Sequence, residues 1–137
     1  MKSLKPSSDF PSRTHALLSI KPEYADAILR GYKRYEFRRI IFSRQVDVIV
    51  VYITAPVKKV VAEFDVISII SEPLLILWDR TWKFAGIDIN FFLKYFEGCK
   101  VGHAIEIGNV RLYSEPFCPM NKFGIRPPQS FLYLFSH

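Results

Sequence analysis

The chain has 137 residues, half of them hydrophobic and 15% aromatic, which suits one folded domain and excludes disorder over most of the length. Its formal charge of +6 and isoelectric point near 9.4 favour a polyanionic partner, either nucleic acid or an acidic membrane surface. No apolar run reaches the roughly 18 residues that a bilayer span needs, and Met1 to His15 is too polar for a secretion signal, so the expected setting is cytoplasmic with no membrane partner.

Residues 1–14 are rich in Ser, Pro and Lys without periodicity and read as a flexible arm ahead of a single domain over residues 15–137. "HALLSI" is a short apolar run suited to a buried strand. Pro22 then opens a helix to Arg30, with Tyr24, Ala25, Ile28 and Leu29 on one side and Gly31 just beyond its end. Lys21 takes the cap position, where Ser, Thr, Asp or Asn would satisfy the free N–H groups and suit the positive end of the dipole.

"RGYKRYEFRRI", residues 30–40, sets five basic side chains around one acid, Glu36. As a strand over Arg34 to Ile40 it places Arg34, Glu36 and Arg38 on one face, with Tyr35 and Phe37 on the other, expected to point into the interior of a barrel. "VDVIVVYITA" is dense in β-branched residues and reads as a strand buried on both faces, ended by a turn at Pro56. Over Lys58 to Ile70 the residues Val60, Ala62, Phe64 and Val66 recur with period two, the pattern of a further long strand.

Between Glu72 and Gly98 the apolar spacing turns helical and is broken at Gly86, giving two short helices. "GHAIEIGNVRLY" returns to strand with a bulge expected at Gly108, and "QSFLYLF" closes the chain as a last strand after Pro127 and Pro128. The order is mixed α+β rather than alternating βαβ. Hairpin links between the three strands after the first helix, and a small closed or nearly closed barrel with helices at its ends, are the expected architecture.

Cys99 and Cys118 match no CxxC spacing, and His15, His103 and His137 form no ligand-like pair, so the cysteines are read as reduced and structural and no metal or cofactor is expected.

The stretches "LLSIKPEYADAILRGYKRYEFRR", "VYITAPVKKVVAEF", "GHAIEIG" and "PPQSFLYL" together resemble the ASCH family, in particular its small stand-alone microbial members. The most specific element is the GxKxxExR pattern of Gly31, Lys33, Glu36 and Arg38, set between a helix and a strand. The resemblance implies a PUA-like mixed or antiparallel β-barrel with a cleft beside the first helix, suited to RNA or a nucleotide. Some family members act on RNA as ribonucleases or remove an acetyl group from modified cytidine.

Within that cleft Lys33 and Arg38 are expected to meet a phosphate, with Glu36 accepting from a base edge or acting as a general base. Lys21 beside a helix start makes a compact anion site. Arg39 is placed as an outer contact, at most one of Lys58 and Lys59 is expected to reach the cleft, and Gln129 and Ser130 are candidates to hydrogen-bond a base or ribose. Tyr35, Tyr52, Trp78, Trp82 and Phe131 are stacking candidates.

Each has a plainer reading: a surface ion-pair row for Arg34, Glu36 and Arg38, a solvated Lys21, helix packing for the tryptophans. Three functions follow. The leading one is an RNA- or nucleotide-binding module. A second is a metal-independent hydrolase, ribonuclease or modified-nucleoside amidohydrolase, with Lys33 and Glu36 as catalytic pair, although the family's acetyl-cytidine hydrolases carry threonine where this chain has Glu36. A third is an adaptor that sets the basic strand against an acidic protein.

Overall fold

The computed structural model describes residues 13–134. Of the expected N-terminal arm, residues 1–12 lie outside the described residues, while Arg13 and Thr14 are tied to the domain. Arg13 pairs with Asp65 at 2.6 Å, and the Thr14 carbonyl accepts from the N–H groups of Asp47 and Val48.

The elements run β1 (His15–Ile20), α1 (Pro22–Leu29), β2 (Tyr35–Arg38), β3 (Val48–Ile53), β4 (Lys59–Pro73) and α2 (Leu74–Thr81). A 3₁₀ turn (Trp82–Phe84), α3 (Ile89–Tyr95), β5 (Val101–Phe117), α4 (Pro119–Phe123) and β6 (Phe131–Leu134) complete them. The fold is mixed α+β, as the segment pattern predicts. Among the described residues no helix is long and apolar enough to cross a membrane.

The six strands form one sheet in the order β2-β5-β4-β3-β1-β6. Every pairing is antiparallel except β1 with β3. Two expectations are corrected here. First, β2 forms no hairpin with β3; it crosses to the far edge and pairs with β5, in register from Tyr35 opposite Glu106 to Arg38 opposite His103.

Second, the sheet is not closed into a barrel: β2 and β6 are its two edges. Side chains fill the space that a ladder would occupy. Phe42, in the link from β2 to β3, packs edge-on against Phe131 of β6 with centroids 4.8 Å apart. The Tyr133 hydroxyl accepts from the N–H groups of Ser43 and Arg44 at 3.0 and 3.3 Å.

Three apolar clusters flank the sheet. The largest joins Leu18, Ile20, Val51, Ile53 and Ile105 to Ala25 and Ile28 of α1. On the opposite face Phe37, Ile70 and Ala104 meet Leu77 of α2 with Phe92 and Phe96 of α3. The third gathers Leu17, Val50, Tyr52 and Val60, so β3 is buried on both faces as its β-branched run predicts. The bulge expected at Gly108 is present: Phe64 pairs with Val110 but Val66 with Ile107, leaving one extra residue on β5.

Candidate functional site

Cross-strand partners decide where the β2 side chains point, because residues opposite one another share a face. Phe37 lies opposite Ala104 and joins the cluster under α2 and α3. Glu36 lies opposite Ile105, a member of the main core. The expected facing is therefore inverted. The aromatic side of β2 supports the outer helices, and the charged side looks into the opening between the sheet's two edges.

That opening is a cavity of about 430 Å³ bounded by the free edge of β2, the start of α1, α3 and the segment before β6. It gathers Lys21, Lys33, Glu36, Arg38, Arg39, Gln129 and Ser130 from the expected site. Four basic side chains thus face one carboxylate.

Arg38 spans the opening. Its guanidinium pairs with Glu36 at 2.9 Å, donates to the Ser19 carbonyl of β1 at 3.0 Å and reaches the Ser130 hydroxyl at 3.4 Å. Its Nε is buried and has no protein acceptor. The side chains of Arg38 and Glu36 are only 11% and 9% exposed, which overturns the plain reading of a surface ion-pair row.

Lys33 is 3% exposed. Its Nζ donates to the Ala85 carbonyl at 2.6 Å and sits 4.8 Å from the Phe37 ring centroid and 5.6 Å from that of Tyr24. Burial lowers its pKa from 10.5 to about 8; the Glu36 carboxylate opposes that shift and Arg38 adds to it. The lysine expected to meet a phosphate is thus a buried one, with its pKa lowered to about 8.

Gly86, read from sequence only as a helix break, makes that burial possible. Its φ is +71°, and a Cβ there would stand 2.7 Å from the Lys33 Cβ and 2.8 Å from its Cγ. Gly86→Ala is expected to lose on the order of 2 kcal/mol through left-handed strain and displacement of the lysine stem. Urea denaturation checks this, and the substitution should weaken ligand binding with it.

Lys21 precedes α1 with an extended backbone and no side-chain cap; its carbonyl accepts from the N–H groups of Tyr24 and Ala25, and its side chain is exposed at the cavity rim. Arg39 donates to the Glu97 carbonyl at 3.2 Å. Gln129 and Ser130 are exposed at the rim, where the Ser130 carbonyl accepts from the N–H of Ser19.

Three expected residues are not brought here. Tyr52 points to the other face of β3 from Val51 and Ile53 and is 6% exposed among Leu17, Val50 and Val60. Lys58, at φ 55° in the turn before β4, and Lys59, which opens that strand, are exposed and line no part of the cavity. Of the stacking candidates, Trp78 packs on Phe92 at 5.0 Å, Phe131 packs on Phe42, Tyr35 supports the cluster under α3, and Trp82 is exposed.

Sequence reasoning missed the aromatic wall of Tyr24, Phe91 and Tyr95, together with Ser19 and Thr54. Tyr95 donates its hydroxyl to the Phe37 carbonyl at 3.1 Å, satisfying an acceptor on the edge strand, and burial raises its pKa. Ser19 and Thr54 carried a readable signal: each is a lone hydroxyl at the end of an apolar strand run.

A second cavity of about 610 Å³ lies between β4, the end of β5 and α4. Its Glu63 is already engaged by Arg111 at 2.7 Å and the Tyr113 hydroxyl at 2.7 Å, and none of the expected site residues lines it.

The ASCH domain family model matches residues 18–117, and the chain belongs to that family. It is 31% identical over 135 residues to a protein of Zymomonas mobilis named ASCH domain-containing ribonuclease, covering 93% of this chain and 88% of the relative. The crystal structure of ASCH from Zymomonas mobilis superposes with a TM-score of 0.81 at 29% identity over 90% of each chain. A serine-to-alanine variant of that protein gives a TM-score of 0.80 at 29% identity over 92% of each.

Proposed function

We propose that the chain binds RNA or a nucleotide in the cavity between β2 and the start of α1. The observation that carries this reading is the imbalance of four cations against one carboxylate in an enclosure of about 430 Å³, within the range that takes small ligands. Arg38 and Lys33 supply a planar fork and a point charge for phosphate, Lys21 and Arg39 lie at the rim, and Glu36 accepts from a base or ribose donor. Tyr24 and Phe91 offer ring faces.

A second reading, cleavage of the bound RNA without a metal, is favoured by Lys33. A lysine with a pKa near 8 can take the proton of a ribose 2′-hydroxyl as that oxygen attacks the adjacent phosphorus. The 5′-oxygen then leaves with the proton that the Lys33 ammonium returns to it. The Zymomonas relative's name supports this branch. Glu36, standing where the family's acetyl-cytidine hydrolases carry threonine, argues against amide hydrolysis.

The two readings predict opposite pH profiles. Phosphate binds protonated Lys33, so affinity should fall as pH rises through 8, by up to tenfold per pH unit. Lys33 acting as base should instead make cleavage rise with pH and level off above 8. Fluorescence anisotropy with a short RNA across pH 6.5 to 9.5, approximate test points, and electrophoresis of the same samples with EDTA separate the two. Affinity that does not weaken between about 50 and 200 mM salt would overturn phosphate contact altogether.

A further inference from the structure

Beyond the cavity the chain presents a second set of aromatic side chains that fold stability does not account for. The 3₁₀ turn leaves Trp82 52% and Phe84 41% exposed. Each carries a cation: the Arg34 guanidinium lies 4.4 Å from the Phe84 ring centroid, and the Lys83 Nζ lies 5.8 Å from that of Trp82. Leaving such rings in water forgoes the burial that aromatic side chains usually contribute. Exposed cation–aromatic pairs return only about 0.5–1 kcal/mol.

This turn is fixed to the cavity. The Phe84 carbonyl accepts from the Arg34 N–H at 2.8 Å, the Ala85 carbonyl accepts from Lys33 Nζ, and Gly86 lies against the lysine stem. Ile87, three residues after Phe84, is part of the cavity wall. Three residues span at most about 11 Å even when extended, so the Phe84 backbone stands within one or two nucleotides' reach of the cavity wall.

We propose that Phe84 with Arg34, continued by Trp82 with Lys83, is a stacking platform for the nucleotides flanking the one held in the cavity. The occupant is single-stranded RNA. Ring faces and guanidinium planes both stack on unpaired bases without sequence preference, and the paired cations meet the backbone phosphates. An acidic protein would use the cations but has no need of the ring faces. The proposal rests on the cavity reading and adds to it a ligand several nucleotides long.

Binding of a nucleoside monophosphate and of a mixed-sequence RNA hexanucleotide would be measured by calorimetry for the wild type, Trp82→Ala, Phe84→Ala and Phe84→Leu. Phe84→Leu keeps the apolar contact and removes only the ring. The expected result is that the hexanucleotide binds the wild type more tightly than the monophosphate does. Each substitution should weaken hexanucleotide binding roughly tenfold, leave monophosphate binding unchanged and lower the melting temperature by no more than about 5 °C. A hexanucleotide that binds no tighter than the monophosphate, or variants that bind it like the wild type, overturns the platform while leaving the cavity reading intact. A wild type that binds neither ligand overturns both.

Discussion

Arg38→Ala should lower stability by about 3–5 kcal/mol, the cost typical of removing one partner from a buried ion pair, and remove measurable affinity for a nucleotide. The guanidinium joins β2, β1 and the segment before β6. Its loss leaves Glu36, with a side chain 9% exposed, without its ion-pair partner. In a domain of this size each kcal/mol moves the melting temperature by roughly 2–5 °C, so the drop should exceed about 6 °C.

Glu36→Gln combined with Arg38→Ala should recover part of that loss, since the carboxylate left without its guanidinium is then removed as well. A double-mutant cycle measures the recovery as the coupling of the pair. Arg38→Lys keeps the charge but cannot reach Glu36, Ser19 and Ser130 at once, so it should fold better than Arg38→Ala and still bind poorly. Arg38→Ala melting within about 2 °C of the wild type would mean that solvent, not the pair, supports Glu36.

This dependence explains what the sequence left unread. The strands of the core were legible because their neighbours are apolar: the run Val48–Ile53 and the alternation of Val60, Ala62 and Phe64 admit few alternatives. The site was legible as residue types, Lys33, Glu36 and Arg38, through the family pattern. Its direction was not. Periodicity separates the two faces of β2 but does not say which one meets the core, and here both are covered, one by α2 and α3 and the other by the approach of the opposite sheet edge.

Closure was misjudged for a related reason. A barrel and an open sheet with bridged edges have the same strand patterns and differ only in whether backbone or side chains span the last gap. Tyr52 was misplaced by parity, since one position along β3 turns a side chain from the α1 side to the opposite cluster. The short helix α4 did have its signals, Pro119 at the first turn and Gly124 in left-handed conformation after the last. Its five residues were too few for a periodicity to show.

Lys33→Met should abolish ligand binding without destabilising the fold at pH 7. Protonated Lys33 is carried in a site that shifts its pKa from 10.5 to about 8, a difference worth about 3 kcal/mol against the folded state. Methionine fills a similar volume without that desolvation, and the freed Ala85 carbonyl costs about 1–3 kcal/mol, no more than the desolvation removed. The variant should therefore equal or exceed the wild type in stability at pH 7.

The sign reverses with pH in a defined window. Between pH 8 and 10.5 the unfolded chain holds the Lys33 proton and the folded chain does not, so wild-type stability should rise relative to Lys33→Met by up to about 3 kcal/mol. Below pH 8 both states are protonated and the difference is flat. Urea denaturation of the two proteins at matched pH reads this directly, and groups titrating equally in both cancel. A variant more than about 2 kcal/mol less stable than the wild type at pH 7, with no change in that gap up to pH 10.5, would make Lys33 a structural residue. The expected outcome makes it a group kept at the expense of stability, which the anion-binding and base-catalysis readings of the cavity both require.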